Sequence, residues 1–197
     1  MREMIRLFLV VTLFSAFSGG LLAAVRTGTQ ERIEYQQLKF VKGPTIKTIM
    51  KGCSNDPLVD RFKIVDRDKE RSFFVGVFDG KPKVVALESS GKGFGGNIGV
   101  IVAINLDNDQ IVGIGVTTHS ETPGLGSRTK TDPDFSAQFR GLPINNVFKV
   151  KADGGQIDAV SGATISSRGV CAAVNASVDA YKRLKSQILE KVRAFKA

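Results

Sequence analysis

The chain has 197 residues, 42% of them hydrophobic, and a formal net charge of +9 at pH 7, so its length allows one membrane segment and one ordinary domain. A single histidine excludes a metal site built from several histidines. The cysteines, Cys53 and Cys171, lack the CxxC or metal-ligand spacing of zinc and iron–sulfur sites. The sequence alone leaves open whether these two residues form a disulfide or stay free.

An apolar run near the N-terminus predicts a membrane helix. The segment from Leu7 to Val25 contains no charged residue and is long enough to cross about 30 Å of hydrocarbon. Arg2 and Arg6 precede it and Arg26 follows it. Basic residues before such a helix favour a cytoplasmic N-terminus, so we expect the main domain on the periplasmic side of the cell inner membrane.

These features divide the chain into a cytoplasmic N-terminus over residues 1–6, a single-pass transmembrane helix over 7–25 and a periplasmic domain over 26–197. The residues Leu22-Ala23-Ala24 also suit the end of a cleaved signal peptide. The apolar run exceeds the usual signal core of about 7–15 residues, which favours the membrane helix.

The segment that follows predicts a mixed helical and β-rich domain. Residues 30–51 favour a further helix, interrupted at Gly43-Pro44 and ended by residues 52–57. Short β-branched or aromatic runs come next, separated by Asp79-Gly80 and by Asp107-Asn108-Asp109, which suits a hairpin turn. The predicted strands are Phe73 to Phe78, Lys83 to Leu87, Ile98 to Leu106 and Gln110 to Thr118.

Hydrophobic periodicity indicates how these elements pack. Apolar residues alternate from Ile98 to Leu106, which predicts one strand face turned to the core and an opposite face that is less apolar. From Val170 to Phe195 apolar residues recur at steps of three or four, as in a long amphipathic helix. The expected fold class is therefore α+β, with an antiparallel sheet packed with helices.

A hydroxyl-rich motif, Asp158-Ala159-Val160-Ser161-Gly162-Ala163-Thr164, lies at the start of this C-terminal helix. Helix N-termini carry unpaired N–H groups and a positive dipole end, so a phosphate would be stabilised beside residues 164–167. Gly162 and Ala163 lack bulk and let a ligand approach the backbone closely. Thr164, Ser166 or Ser167 also suits an ordinary helix N-cap worth about 1 kcal/mol, which the local chemistry alone favours.

A second polar motif, His119-Ser120-Glu121-Thr122-Pro123-Gly124-Leu125-Gly126-Ser127, follows the last predicted strand. Pro123 has a fixed φ and Gly124 accepts a positive φ, so the pair suits the centre of a type II turn. His119 and Glu121 fall on one side of an extended chain. The motif fits either a solvated turn with a charged rim or a loop whose amides and Glu121 meet a ligand.

Together with Gly93-Phe94-Gly95-Gly96, these motifs resemble, in the same order, those of the FMN-binding domain family. The resemblance implies that Thr164 carries FMN through a phosphoester bond, with Lys130 or Arg128 offsetting the phosphate charge. The residues then expected to bind the cofactor are Ser161, Gly162, Ala163, Thr164, Ser166, Ser167, His119, Glu121, Thr122, Leu125, Gly126 and Lys130.

Within this family, the aromatic Phe94 between glycines makes the chain similar to the G subunits of Rnf electron-transport complexes, where Tyr is more usual. The C subunit of the sodium-pumping NADH:quinone reductase is more distantly similar. The resemblance implies an electron-transfer subunit of a membrane complex that passes electrons between reduced ferredoxin and NAD and moves Na⁺ or H⁺. The expected partners are the other subunits of that complex and the membrane.

The sequence also bears on catalysis. It contains no dinucleotide-binding fingerprint after a first strand and no evident catalytic triad, so we expect an electron relay that is not catalytic alone. No activating base is evident beside Thr164. The resemblance implies that a separate flavin transferase attaches the FMN. Two other classes stay open, namely a reductase with noncovalent FMN and a non-redox assembly or ligand-binding module.

Basic residues concentrate near the C-terminus, at Lys182, Arg183, Lys185, Lys191, Arg193 and Lys196. Such a face suits anionic lipid heads or an acidic partner, although most charge runs are solvated helix faces. Nucleic acid is not expected as a partner, because the domain is expected to be exported.

Overall fold

A computed structural model of the chain describes residues 1–67 and 69–195. The chain divides into two compact units, Met1–Lys39 and Phe40–Ala197. The first unit contains helix α1, Arg2–Gln36, none of whose described residues is buried. Helix α1 is apolar and long enough to cross a membrane, a test that a signal sequence would also pass. Both interpretations of the N-terminus are therefore compatible with α1.

The helical segment beyond α1 differs in detail from the prediction for residues 30–51. A π-helical turn, Gln37–Lys42, follows α1, and helix α2 spans Gly43–Ile49. Pro44 lies in the first turn of α2, where a missing N–H removes no hydrogen bond within the helix. The Gly-Pro pair therefore lies where the π-helical turn gives way to α2.

The second unit is built on a five-stranded antiparallel sheet whose strands lie side by side in chain order. The α+β fold class is thus confirmed, and the four predicted strands correspond to the last four of the sheet. The first strand, in which Phe62 and Ile64 alternate with charged residues, was not predicted. The strands are β1, Arg61–Asp66; β2, Lys69–Phe78; β3, Lys81–Lys92; β4, Asn97–Asn105; and β5, Ile111–Val116.

A long C-terminal helix, α5, packs against this sheet. It spans Thr164–Val192 and contacts β3 and β4. Its buried stripe includes Val170, Val174 and Tyr181, as the apolar spacing predicts. Two short helices lie between β5 and α5, namely α3, Arg128–Thr131, and α4, Pro133–Ala137.

The sheet face opposite α5 is less apolar, as predicted, but it too is buried. Ile101 and Ala103 of β4 are fully buried on it. Helix α2 contacts β4 and β5, and a Cβ built on Gly113 would lie 3.1 Å from Cγ2 of Ile49. Because α2 covers this side, both faces of β4 belong to the protein interior.

The basic residues of the C-terminal helix are largely used within the domain. Arg183 contacts Oδ2 of Asp66 at 2.8 Å, and Lys185 contacts Oδ2 of Asp109 at 2.5 Å. Lys191 donates to the carbonyl oxygen of Lys63 at 3.0 Å. These contacts tie α5 to β1 and to the β4–β5 turn. The residue Lys196, also assigned to the basic run, lies outside the described residues.

Both cysteines are free thiols in the described part of the chain. Cys171 is buried in α5, whereas Cys53 is half-buried in the loop after α2. Burial, and then the nearby Asp153 carboxylate, raise the pKa of the Cys171 thiol to about 12. Of the two possibilities that the sequence left open, the structure therefore has unpaired thiols.

Candidate functional site

The three sequence motifs meet at the carboxylate of Glu121. This side chain is 5% exposed and lies in the loop after β5. Its Oε1 accepts a hydrogen bond from the N–H of Gly95 at 2.8 Å, and its Oε2 accepts one from the N–H of Phe94 at 3.3 Å. The hydroxyl of Ser166, in the first turn of α5, also donates to Oε2. One buried carboxylate thus joins segments that are far apart in the sequence.

The glycines of two motifs make room for this carboxylate. A Cβ on Gly93 would lie 2.6 Å from Oε1 of Glu121, and a Cβ on Gly126 would lie 2.7 Å from Oε2. Both distances are shorter than non-bonded carbon and oxygen atoms tolerate. A Cβ on Gly95 would meet the carbonyl oxygen of Ser120. The Gly-rich sequences at 93–96 and 124–126 therefore allow the chain to close around Glu121.

Opposing effects set the charge state of Glu121. Burial alone would raise the pKa of this carboxyl. The hydrogen bonds from Ser166, Gly95 and Phe94, together with the nearby His119, outweigh burial and hold the pKa below its usual value. Glu121 is therefore a buried anion at neutral pH.

The N-terminus of α5 has no side-chain cap among the described residues. Its N-cap residue is Ala163, and Thr164 is the first helical residue. The hydroxyl of Ser167 accepts from the N–H of Val160 and donates to the carbonyl oxygen of Ala163, both at 3.0 Å. With Ser166 bonded to Glu121, neither serine caps the first turn. The helix-cap interpretation of these hydroxyl groups is therefore wrong.

This arrangement leaves polar groups at the start of α5 open to a ligand. Thr164 is half-buried, and its hydroxyl makes no side-chain hydrogen bond within the described residues. The first N–H groups of a helix have no acceptor within the helix. In α5 the first N–H with such an acceptor is that of Ser167, which donates to the carbonyl oxygen of Ala163 at 2.9 Å. Gly162 precedes the helix with φ +77°, in the left-handed region that glycine adopts readily.

The loop after β5 forms the predicted turn beside the start of α5. The N–H of Leu125 donates to the carbonyl oxygen of Thr122 at 3.2 Å, and Gly124 has φ +76°, as a type II turn requires. Leu125 is 50% exposed, and its Cδ2 lies 3.4 Å from a Cβ built on Gly162. The turn therefore brings an apolar side chain next to the Thr164 motif.

Two further apolar side chains near this point were not predicted as site residues. Phe94 is 72% exposed although its N–H is fixed on Glu121, and Ile165, next to Thr164, is 47% exposed. Exposed apolar side chains that lie together often mark a binding surface. Their exposure cannot be read from the sequence, because hydrophobic residues are ordinarily assigned to the core.

The predicted basic residues and the histidine have partners elsewhere. His119 is half-buried, and its Nδ1 accepts the N–H of Glu121 at 3.3 Å. Lys130 donates to the carbonyl oxygen of Thr117 at 2.8 Å, and Arg128 pairs with Asp132 at 3.5 Å. Within the described residues, no hydrogen bond or ion pair joins these three side chains to Thr164.

Comparison with known proteins gives a consistent family. Residues 93–179 match the FMN-binding domain family. The chain is 33% identical to the G subunit of the ion-translocating oxidoreductase complex of Methanosarcina acetivorans over 180 residues, which cover 90% of this chain and 94% of that protein. It is 30% identical to the protein of the same name from Vibrio cholerae, over 91% of each chain.

Two solved structures are similar to the chain. The first is the C subunit of the Na⁺-translocating NADH-quinone reductase from Parabacteroides distasonis, with 30% identity and a TM-score of 0.51 over 58% of this chain and 62% of that one. The second is NqrC of Shewanella oneidensis, with 26% identity and a TM-score of 0.50 over 71% of this chain and 72% of that one. Both support the arrangement of sheet and helices described above.

Proposed function

Because this chain belongs to the family of the G subunits of ion-translocating oxidoreductase complexes, we propose that it is an FMN-carrying electron-transfer subunit of such a complex. We propose further that FMN is joined to Thr164 by a phosphoester bond. The observation that carries this proposal is the start of α5, where the Thr164 hydroxyl has no side-chain partner within the described residues and no side chain caps the helix.

The residues at the start of α5 fit a phosphate group. The N–H groups of the first turn and the positive end of the helix dipole stabilise an anion there. Ser166 and Ser167 would otherwise compete for those N–H groups, but both are bonded elsewhere. Gly162 and Ala163 leave the backbone accessible on this side. Lys130 and Arg128 would bind the phosphate only by giving up their present contacts with Thr117 and Asp132.

The attachment of FMN to Thr164 forms one bond and breaks others. The Oγ1–P bond forms at Thr164 while the hydroxyl proton leaves and an activated flavin nucleotide releases its leaving group. The chain then gains the mass of one FMN less one water. No general base lies in contact with the Thr164 hydroxyl among the described residues, so the proton is removed by a separate flavin transferase.

The apolar side chains around Thr164 suit the aromatic part of the cofactor. Leu125 and Phe94 belong to two of the motifs, Ile165 directly follows Thr164, and all three are substantially exposed. We propose that they line the isoalloxazine ring and reduce its contact with water. When bound, the ring supplies one- and two-electron redox chemistry, while the chain orients it and tunes its surroundings.

We propose that α1 anchors the domain in a membrane. Arginines before the apolar run favour a cytoplasmic N-terminus, which would put the domain over 26–197 on the periplasmic side of the inner membrane. The other subunits of the complex would then deliver and accept the electrons, between reduced ferredoxin and NAD, and carry the Na⁺ or H⁺ pathway.

Denaturing electrophoresis tests the covalent bond. We expect the full chain, produced with its flavin transferase, to keep flavin fluorescence in the gel, and Thr164→Val to lose it. Thr48→Val is a suitable control, since the Thr48 hydroxyl bonds to Pro44 within α2. Flavin that washes out of the wild-type chain on denaturation would favour a noncovalent reductase instead, and a colourless chain would favour a non-redox module.

A further inference from the structure

The burial of Glu121 calls for a physical reason beyond loop packing. A buried carboxylate is costly unless its hydrogen-bonding capacity is satisfied, and Glu121 is held by neutral donors. Among the described residues, no lysine or arginine forms an ion pair with it. A neutral side chain would close the same loop with less desolvation. The negative charge of Glu121 therefore has a role in holding its particular donors, Phe94, Gly95 and Ser166.

One of those donors lies close to the proposed attachment residue on the helix. Successive residues of an α-helix are rotated by about 100°, so Ser166 and Thr164 point about 160° apart around the axis of α5. Ser166 is 2% exposed and bonded to Glu121, whereas Thr164 is half-buried. The bond that holds Ser166 on the inner side of the first turn therefore places Thr164 on the opposite side of the helix.

The bond between Ser166 and Glu121 is also a long-range tie. Ser167, the other buried serine in this turn, bonds to Val160 and Ala163, which are its near neighbours in the chain. Glu121, by contrast, joins the first turn of α5 to the loop after β5 and to the β3–β4 connection through Phe94 and Gly95. These last two segments carry Leu125 and Phe94, whose side chains are exposed.

We infer that Glu121 is a positioning residue that sets the direction of the Thr164 hydroxyl for flavin attachment, acting through Ser166. This inference rests on the proposed function. In this role Glu121 acts on other groups of the protein, to which both of its oxygen atoms are hydrogen-bonded.

A time course of flavin attachment to the full chain tests the inference, with intact mass as the readout and the melting temperature measured in parallel. We expect Glu121→Gln and Ser166→Ala each to slow attachment at least tenfold, and the double variant to be no slower than either single one. Ser166→Thr keeps the hydroxyl and should restore most of the rate. Attachment that slows multiplicatively in the double variant would overturn the inference.

Two matched controls separate positioning from general destabilisation. Glu88→Gln alters a carboxylate that accepts from Thr117 and pairs with Lys42, away from α5. Ser177→Ala removes a buried hydroxyl of the same helix that has no hydrogen-bond partner within the described residues. Both should attach flavin at the wild-type rate. Wild-type attachment in Glu121→Gln would contradict the inference alone, whereas no attachment in the wild-type chain would contradict the proposed function.

Discussion

The hydroxyl of Ser166 donates a hydrogen bond to Oε2 of Glu121, which joins residues 45 positions apart in the sequence. Around this bond lie the glycines at 93, 95 and 126, each too close to its neighbours for a side chain. Three motifs that the sequence presents separately are therefore parts of one packed junction. The junction holds the first turn of α5, in which Thr164 is half-buried.

Gly126 provides the most direct test of that junction. A Cβ there would lie 2.6 Å from Oγ of Ser166 and 2.7 Å from Oε2 of Glu121. We expect Gly126→Ala to lower the free energy of unfolding by about 1–3 kcal/mol, because the added methyl group overpacks a buried site. Chemical denaturation of the full chain in detergent measures this change.

The control for this variant is Gly28→Ala in α1. No atom lies within 4 Å of a Cβ built on Gly28, and alanine is the better helix former. We expect no loss of stability in this variant. Equal stability of Gly126→Ala and the wild type would show that the junction is loosely packed.

A second prediction concerns two buried serines of α5. Ser167→Ala removes hydrogen bonds with Val160 and Ala163 and leaves a buried N–H without its partner, so we expect a loss of about 1–3 kcal/mol. Ser177→Ala should be neutral or stabilising by up to about 1 kcal/mol, since its buried hydroxyl lacks a partner among the described residues. Thermal unfolding of the two variants should rank them in that order, and the reverse order would refute these assignments.

Lowering the pH is expected to weaken the ion pair between Asp66 of β1 and Arg183 of α5. Hydrogen bonding from Arg183 exceeds the opposing effect of burial and, together with Arg71, holds the pKa of Asp66 below its usual 3.8. A carboxyl whose pKa is lower in the folded state adds stability above the unfolded-state pKa and loses it as the pH falls through the folded-state value.

The variant Asp66→Asn removes this dependence. At pH 7 we expect it to be less stable than the wild type by about 1–3 kcal/mol, because the two arginines lose an anionic acceptor and are left with a neutral amide. The difference should narrow below pH 3.8, which denaturant unfolding at several pH values will measure. A difference that stays constant with pH would mean that Asp66 is not ionised against the two arginines.

Thiol labelling tests the state of the cysteines. Cys171 is buried and burial raises the pKa of its thiol to about 12, so it should not react with a maleimide in the native chain at pH 8. Cys53 is half-buried and should react. Mass spectrometry should therefore find one label before denaturation and two afterwards. No label in either state without a reductant would indicate a disulfide.

The sequence predicted the parts of this molecule that follow from local patterns. Strands β2 to β5 were found from apolar runs and turn residues, and α5 from its helical spacing. Strand β1 was missed because an aspartate such as Asp66 is ordinarily assigned to the surface. Its burial depends on ion pairs with Arg71 and Arg183, which become visible only in the structure. The packing of α2 against the second sheet face is a tertiary contact, which the hydrophobic periodicity of a sequence does not predict.

The candidate site divides in the same way. Thr164 at the start of a helix was predictable from the motif and the spacing that follows it. The role of Glu121 was not, because its partners Phe94 and Ser166 lie 27 and 45 residues away. The sequence left the two serines ambiguous between capping and binding. The structure rules out capping, because Ser166 is bonded to Glu121 and Ser167 to Val160.

Covalent attachment of FMN to Thr164 is the central claim about this protein. The most direct measurement is the intact mass of the denatured full chain purified from its native membranes, followed by fragmentation of the peptide around Thr164. We predict a mass raised by one FMN less one water, with the fragment ions locating the addition on Thr164. An unmodified mass for the intact chain, or an addition on another residue, would contradict the claim.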